Sequence, residues 1–153
     1  MKTRVLFLRG AVVLILISAL FYFAYPNETI HDGYYTAETK HFDEHGWKEF
    51  VTIFVSGGKI TTVEYNARNS SGFIKSWDMD YMRVMNASDG TYPNAYTRIF
   101  ASDLLTNQDS EKIDAVSGAT HSYHTFKQLA AAVMEKIKEG DTSVAFVDFP
   151  HNE

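Results

Sequence analysis

Cysteine is absent from the 153 residues. Neither a disulfide framework nor a thiolate metal site can form. A bacterial lipoprotein anchor, which needs a cysteine to carry the lipid, is excluded as well. Basic charge is scarce: 14 Lys and Arg stand against 19 Asp and Glu, for a net charge of -5. Neutralising phosphates takes clustered Lys and Arg, so nucleic acid is not expected as a partner. There is no dinucleotide glycine fingerprint, no nucleophile–base–acid set, no internal repeat and no low-complexity stretch. Four of the six histidines come in two close pairs, His41 with His45 and His121 with His124. No thiolate and no H-E-x-x-H pattern accompanies them, so no metal site is expected.

What is present suits one packed domain. Apolar residues make up 45% of the chain and charged residues 22%, a balance that builds a core rather than a disordered coil. The length fits a single domain.

The N-terminus is distinct from the rest. Lys2, Arg4 and Arg9 precede an apolar run from Ala11 to Tyr25, and Glu28 and Asp32 follow it. With Val5 to Leu8 the run approaches the ~20 residues that cross a bilayer. Positive charge before the span places the body of the protein outside the cytoplasm. Tyr22 and Tyr25 stand where an interfacial aromatic belt falls. The expected organisation is therefore a single-pass transmembrane anchor and linker over residues 1–30, N-terminus cytoplasmic, and an extracytoplasmic domain over 31–153. A cleaved signal peptide is the alternative. Small residues suited to cleavage are poorly placed, since Ala24 has Tyr22 two residues before it.

Within the domain, Tyr34 to His41, Trp47 to Val55 and Lys59 to Tyr65 read as three strands of an antiparallel meander. Asp43 to Gly46 forms the first turn and Ser56 to Gly58 the hairpin. Trp47, Val51, Ile53 and Val55 share one face and Phe50 and Phe54 the other, which predicts cover on both sides in places. Phe73, Trp77, Tyr81, Val84 and Met85 recur at helical spacing. A second helix starts at Pro93 and runs to about Leu105. The last helix runs to Lys138 with Phe126, Leu129, Ala130, Val133 and Ile137 as its buried stripe and Gly140 as its stop. Ser143 to Phe149 is a final strand or an apolar tail. The fold class is α+β: a small antiparallel sheet of three or more strands, packed by helices.

The stretch "DAVSGATHS", Asp114 to Ser122, opens that last helix with more hydroxyls than a cap needs. Ser117 is expected as the N-cap. Gly118 would let the backbone approach a ligand closely. First-turn N–H groups lack intrahelical partners and, with the helix dipole, favour an anion, most often a phosphate. Thr120 then sets a hydroxyl beside that cradle. A capped helix without any ligand is the plainer reading of the same residues.

The pattern Asp114, Ser117, Gly118, Ala119, Thr120 resembles the flavinylation motif of the covalent FMN-binding domain family. That family includes a subunit of the sodium-pumping NADH:quinone oxidoreductase and extracellular flavoproteins of bacteria. "DGYYTAETKHFDEHGWKEFVTIFVSGGKITTVEY", from Asp32, is similar to the opening sheet of the extracellular members. The resemblance spans Asp32 to about Gly140. It implies FMN held by a phosphoester to Thr120, with Ser122 the nearest alternative acceptor. It also implies a flavin transferase as partner, taking FMN from FAD with magnesium. His121 stands where it can reach the phosphate or face solvent. Trp47, Trp77, Tyr81 and Tyr96 are candidates to stack on the ring, each with a core role as its alternative. Many stand-alone relatives are lipoproteins, so the missing cysteine leaves attachment to the apolar segment.

The expected function is that of an electron carrier rather than an enzyme with its own substrate, alone or within a larger oxidoreductase, with donor and acceptor unidentified. A module that binds FMN or another phosphate ligand reversibly, as scavenger or sensor, is the alternative. A structural domain whose motif has decayed to a helix cap is the third.

Overall fold

The computed structural model describes residues 30–149. The expected anchor lies outside the described residues, Ile30 apart. Among the described residues no helix is long and apolar enough to cross a membrane.

Three strands follow one another: β1 (Gly33–Thr39), β2 (Lys48–Ser56) and β3 (Lys59–Arg68). Local turn chemistry sets their register. The Asp43 carboxylate accepts from the backbone N–H groups of His45 and Trp47, at 2.9 and 2.7 Å, and so holds the first turn. Gly57 and Gly58 both take positive φ, 62° and 70°, as a two-residue hairpin turn matched to strand twist requires. Asp32 accepts from both of their N–H groups, at 2.8 and 2.9 Å.

A 3-10 turn (Lys75–Trp77) leads into α1 (Met79–Asp89), then α2 (Pro93–Asn107) and α3 (Thr120–Glu139). Pro93 occupies the first turn of α2. Gly140 ends α3 in the left-handed conformation, its N–H bonded back to Ile137 and Lys136. Beyond it, Ala145–Val147 forms β4, which pairs with β1 in parallel. The sheet order is β3-β2-β1-β4. The sheet is thus mixed: the expected antiparallel meander is there, with one parallel strand added at its edge.

The core lies between one face of the sheet and the helices α2 and α3. Tyr35, Ala37, Val51, Ile53, Val55 and Tyr65 face Phe100, Leu104, Phe126, Leu129, Val133 and Ile137, all nearly or fully removed from water. Full burial of one such side chain is worth about 1.5–3 kcal/mol, so this slab holds the domain together. Phe126 stacks on Phe100 at 5.5 Å and meets Tyr65 at 4.7 Å.

On the outer face of the sheet Tyr34 and Phe54 stack on each other at 4.4 Å, while Glu38 and Asn66 are buried there, Asn66 donating to Ser76 of the 3-10 turn at 2.9 Å. One expectation needs correction. The helical stripe over residues 73–85 is not a buried face. Phe73, Trp77 and Val84 are exposed, and Met82 is the buried residue of α1. Phe73 and Trp77 precede the helix, so a 3.6-residue period does not carry across them.

Candidate functional site

A cleft of about 560 Å³ opens at one end of the sheet, within the range of roughly 300–1,000 Å³ typical of small-molecule sites. The loop between β1 and β2 forms one wall. The start of β2 gives Trp47 and Glu49, the 3-10 turn gives Lys75, and α1 gives Tyr81 and Met85. Tyr96 of α2, then Gly118, Ala119, His121, Ser122 and Thr125 around the start of α3, and Phe149 after β4 complete it. Five aromatic residues, Phe42, Trp47, Tyr81, Tyr96 and Phe149, and a helix N-terminus therefore converge on one space. Of the four candidate stacking residues, Trp47, Tyr81 and Tyr96 line the cleft. Trp77 does not, and is exposed elsewhere.

The start of α3 is built by a turn rather than by a capping side chain. The Ala119 N–H bonds to the Val116 carbonyl at 3.0 Å, with Gly118 at φ 80° in the turn position that demands positive φ. Ala119 is the N-cap, and no side chain caps the helix. The expected cap Ser117 instead sits exposed in the turn. Gly118 is required by a neighbour rather than by a ligand: a Cβ there would fall on the backbone carbonyl of Asp89, at the end of α1. With no cap, the backbone N–H groups of Thr120, His121 and Ser122 find no backbone or side-chain acceptor among the described residues. They are the free donors to which the macrodipole draws an anion.

Thr120, the first residue of α3, is exposed. Its neighbours Ala119 and His121 line the cleft, while its own side chain lies outside that lining. Ser122 is buried, and its carbonyl accepts from the Tyr65 phenol at 3.0 Å. The two hydroxyls thus differ sharply in access. Asp114 is exposed outside the cleft, its N–H donating to Asp103 of α2 at 3.3 Å. The structure gathers Gly118, Ala119 and His121 at the cleft, and leaves Asp114 and Ser117 away from it. Among the described residues no cluster of three or more metal-ligating side chains occurs.

Sequence reasoning missed the polar floor of the cleft. Glu49 is 5% exposed and accepts from the Tyr65 phenol at 2.6 Å. Burial pushes its carboxyl above the usual range, against that hydrogen bond and the charges of Lys75 and His121. Burial also raises Tyr65 and Tyr96, with the nearby Glu49 adding to both. Lys75 is 6% exposed, its ammonium 5.0 Å from the Tyr81 ring centre and 5.8 Å from that of Trp47. A signal for Glu49 was available: in "KEFVTIFV" it shares the inward parity of Val51, Ile53 and Val55, and an acid on a buried face asks for a reason.

An aromatic-walled cleft beside an uncapped helix N-terminus defines a domain for a planar ligand that carries phosphate. The comparisons agree with that class. A family model for the FMN-binding domain matches residues 46–135. The chain is 39% identical over 113 residues to a 15 kDa lipoprotein of Treponema pallidum, an alignment covering 74% of this chain and 80% of that protein. It is 38% identical to the CPE2226 protein of Clostridium perfringens, whose crystal structure superposes with a TM-score of 0.76 over 79% of this chain and 99% of the other. The chain belongs to the FMN-binding domain family.

The residues present fit that cofactor. The free N–H groups at the start of α3 suit its phosphate and the aromatic walls suit its ring, with the exposed Thr120 next to the cleft in the chain rather than in its lining.

Proposed function

We propose that the chain carries FMN joined by a phosphoester to Thr120, and that it acts as an electron carrier rather than as an enzyme with its own substrate. The observation that supports this most is the exposed Thr120 hydroxyl at the uncapped start of α3, one residue from the cleft on either side. Bound flavin supplies one- and two-electron redox chemistry. The chain's part is to hold and to tune. The free N–H groups of the first turn of α3 take the charge of the phosphate. Trp47, Tyr81 and Tyr96 offer apolar faces that exclude water from the ring.

Attachment needs a partner, a flavin transferase using FAD and magnesium. The Thr120 oxygen attacks the phosphorus on the FMN side of the pyrophosphate. The bridging P–O bond breaks, AMP leaves, and the threonine proton passes to solvent. An exposed threonine is accessible to such an enzyme; the buried Ser122 is not.

The proposed location is the outer face of a membrane. The apolar segment before Pro26 supports it, with basic residues ahead of the segment. So does the Treponema relative, which is a lipoprotein. This chain has no cysteine to carry a lipid, so the proposed anchor is the apolar segment itself. Electron donor and acceptor are then separate partners outside the cytoplasm.

Mass spectrometry of the chain made together with a flavin transferase tests the reading. The expected result is one FMN ester on the peptide bearing Thr120, absent from Thr120→Ala. Because Thr120 stands outside the cleft lining, reversible binding is the second reading; a flavin that dialyses away in denaturant establishes it.

A further inference from the structure

Lys75 is a buried cation, 6% exposed, with no carboxylate in contact with its ammonium among the described residues, the charge of Glu49 being felt only at longer range. The Lys75 backbone is held in the 3-10 turn, where the Trp77 N–H bonds to Ile74 and the Asp78 N–H to the Lys75 carbonyl. The ammonium lies over two aromatic walls of the cleft, Tyr81 and Trp47. Three acids share the cleft, of which Glu44 is turned to solvent. Glu49 already accepts from Tyr65 at 2.6 Å. Asp43 accepts from the backbone of His45 and Trp47. Cation–π contact offsets part of the cost of burying an ammonium, and the rest asks for an anion.

We propose that the Lys75 ammonium is the cleft's charge partner for the reduced ring of the bound flavin, favouring its reduced over its oxidised state. This rests on FMN binding in the cleft, and not on the bond to Thr120. Two electrons taken up with a single proton leave one net negative charge on the ring; the electrons come from a reductant and the proton from solvent. A desolvated cation lowers the free energy of that charged state and leaves the neutral oxidised ring nearly unaffected. Lys75 therefore acts on the equilibrium between two redox states rather than on affinity for the oxidised cofactor.

The test is a spectroelectrochemical titration of flavin-loaded protein near neutral pH, with dithionite as reductant. Lys75→Met and Lys75→Gln each remove the charge while keeping most of the side-chain volume; Lys75→Arg keeps the charge. Flavin content is first measured by absorbance, and folding by circular dichroism. The expected result is a preference for the reduced state at least tenfold weaker in Lys75→Met and Lys75→Gln. For a two-electron couple that is a fall in midpoint of about 30 mV or more. Lys75→Arg is expected to stay near the wild type. A loaded, folded Lys75→Gln or Lys75→Met with an unchanged midpoint overturns the assignment and leaves FMN binding intact. Wild-type protein that takes up no flavin overturns the FMN reading, and this assignment with it.

Discussion

Gly118 lies against the carbonyl of Asp89, so that the start of α3 and the end of α1 touch through bare backbone. A single methyl group at Gly118 has nowhere to go, and the carbonyl it meets cannot swing away as a side chain would. The position also needs positive φ, 80°. Gly90 has nearly the same φ, 72°, but open space where a Cβ would be. The pair separates two effects that a glycine usually combines. Gly90→Ala is expected to cost about 1 kcal/mol, the strain of a left-handed residue. Gly118→Ala is expected to cost roughly 2–4 kcal/mol, because overpacking adds to that strain. Urea denaturation of both variants measures the difference. Gly118→Ala is also expected to lose flavin attachment, since Thr120 follows two residues on. Equal stabilities would show that the Asp89 contact is not there in solution.

Glu49 gives stability a pH dependence of definite sign. Burial holds its carboxyl above the ordinary glutamate value of 4.5 in the folded chain. The folded state therefore keeps this proton to higher pH than the unfolded state. Between the two values folding takes up a proton, and stability falls as pH rises. The contribution is whole below 4.5 and lost as pH climbs through the folded value. Glu49→Gln can still accept the Tyr65 hydrogen bond but does not titrate. Its stability relative to wild type is expected to rise from pH 4.5 upward and then level off, read by denaturant titrations across that range. A constant difference contradicts the environment assigned to Glu49.

The two hydroxyls at the start of α3 are expected to respond in opposite ways. Ser122→Ala removes a buried hydroxyl but keeps the backbone carbonyl that accepts from Tyr65, and should cost no more than about 1 kcal/mol. It should still accept flavin. Thr120→Ala removes an exposed hydroxyl that caps nothing. It should melt within a degree or so of wild type and accept none, whereas Thr120→Ser keeps a hydroxyl and should remain modified. Thermal melts run beside flavin content check all three.

Phe126 joins the core to the site. It is fully buried and packs on Phe100 and on Tyr65, whose phenol holds Glu49. Phe126→Ala is expected to cost roughly 3–5 kcal/mol, measured by urea denaturation. A cost under about 1 kcal/mol would contradict the packing described for the domain.

Much of this was legible in the sequence wherever the signal is local. The stripe from Phe126 to Ile137 is buried as its period implies, and Gly140 ends the helix as its conformational freedom allows. Gly57 and Gly58 mark the hairpin for the same reason. What was not legible depends on partners distant in the chain. β4 pairs in parallel with β1 across more than a hundred residues, and nothing in "SVAFVDF" announces a direction. Ser117 has the chemistry of a cap, but Gly118 packed on Asp89 imposes a turn that starts the helix at Thr120. The floor of the cleft brings Glu49, Tyr65 and Lys75 together from two strands and a 3-10 turn. Only the inward parity of Glu49 hinted at it. Gly118, Ala119 and His121, which do line the cleft, were legible because they are neighbours in one contiguous stretch.

The central claim is that one exposed alcohol at the head of α3 is where the flavin is fixed. Denaturing gel electrophoresis of wild type and Thr120→Ala, each coexpressed with a flavin transferase, reads this from in-gel fluorescence. The expected outcome is a fluorescent wild-type band beside a dark, equally stained variant. A dark wild-type band, or a variant that fluoresces as brightly, would contradict it.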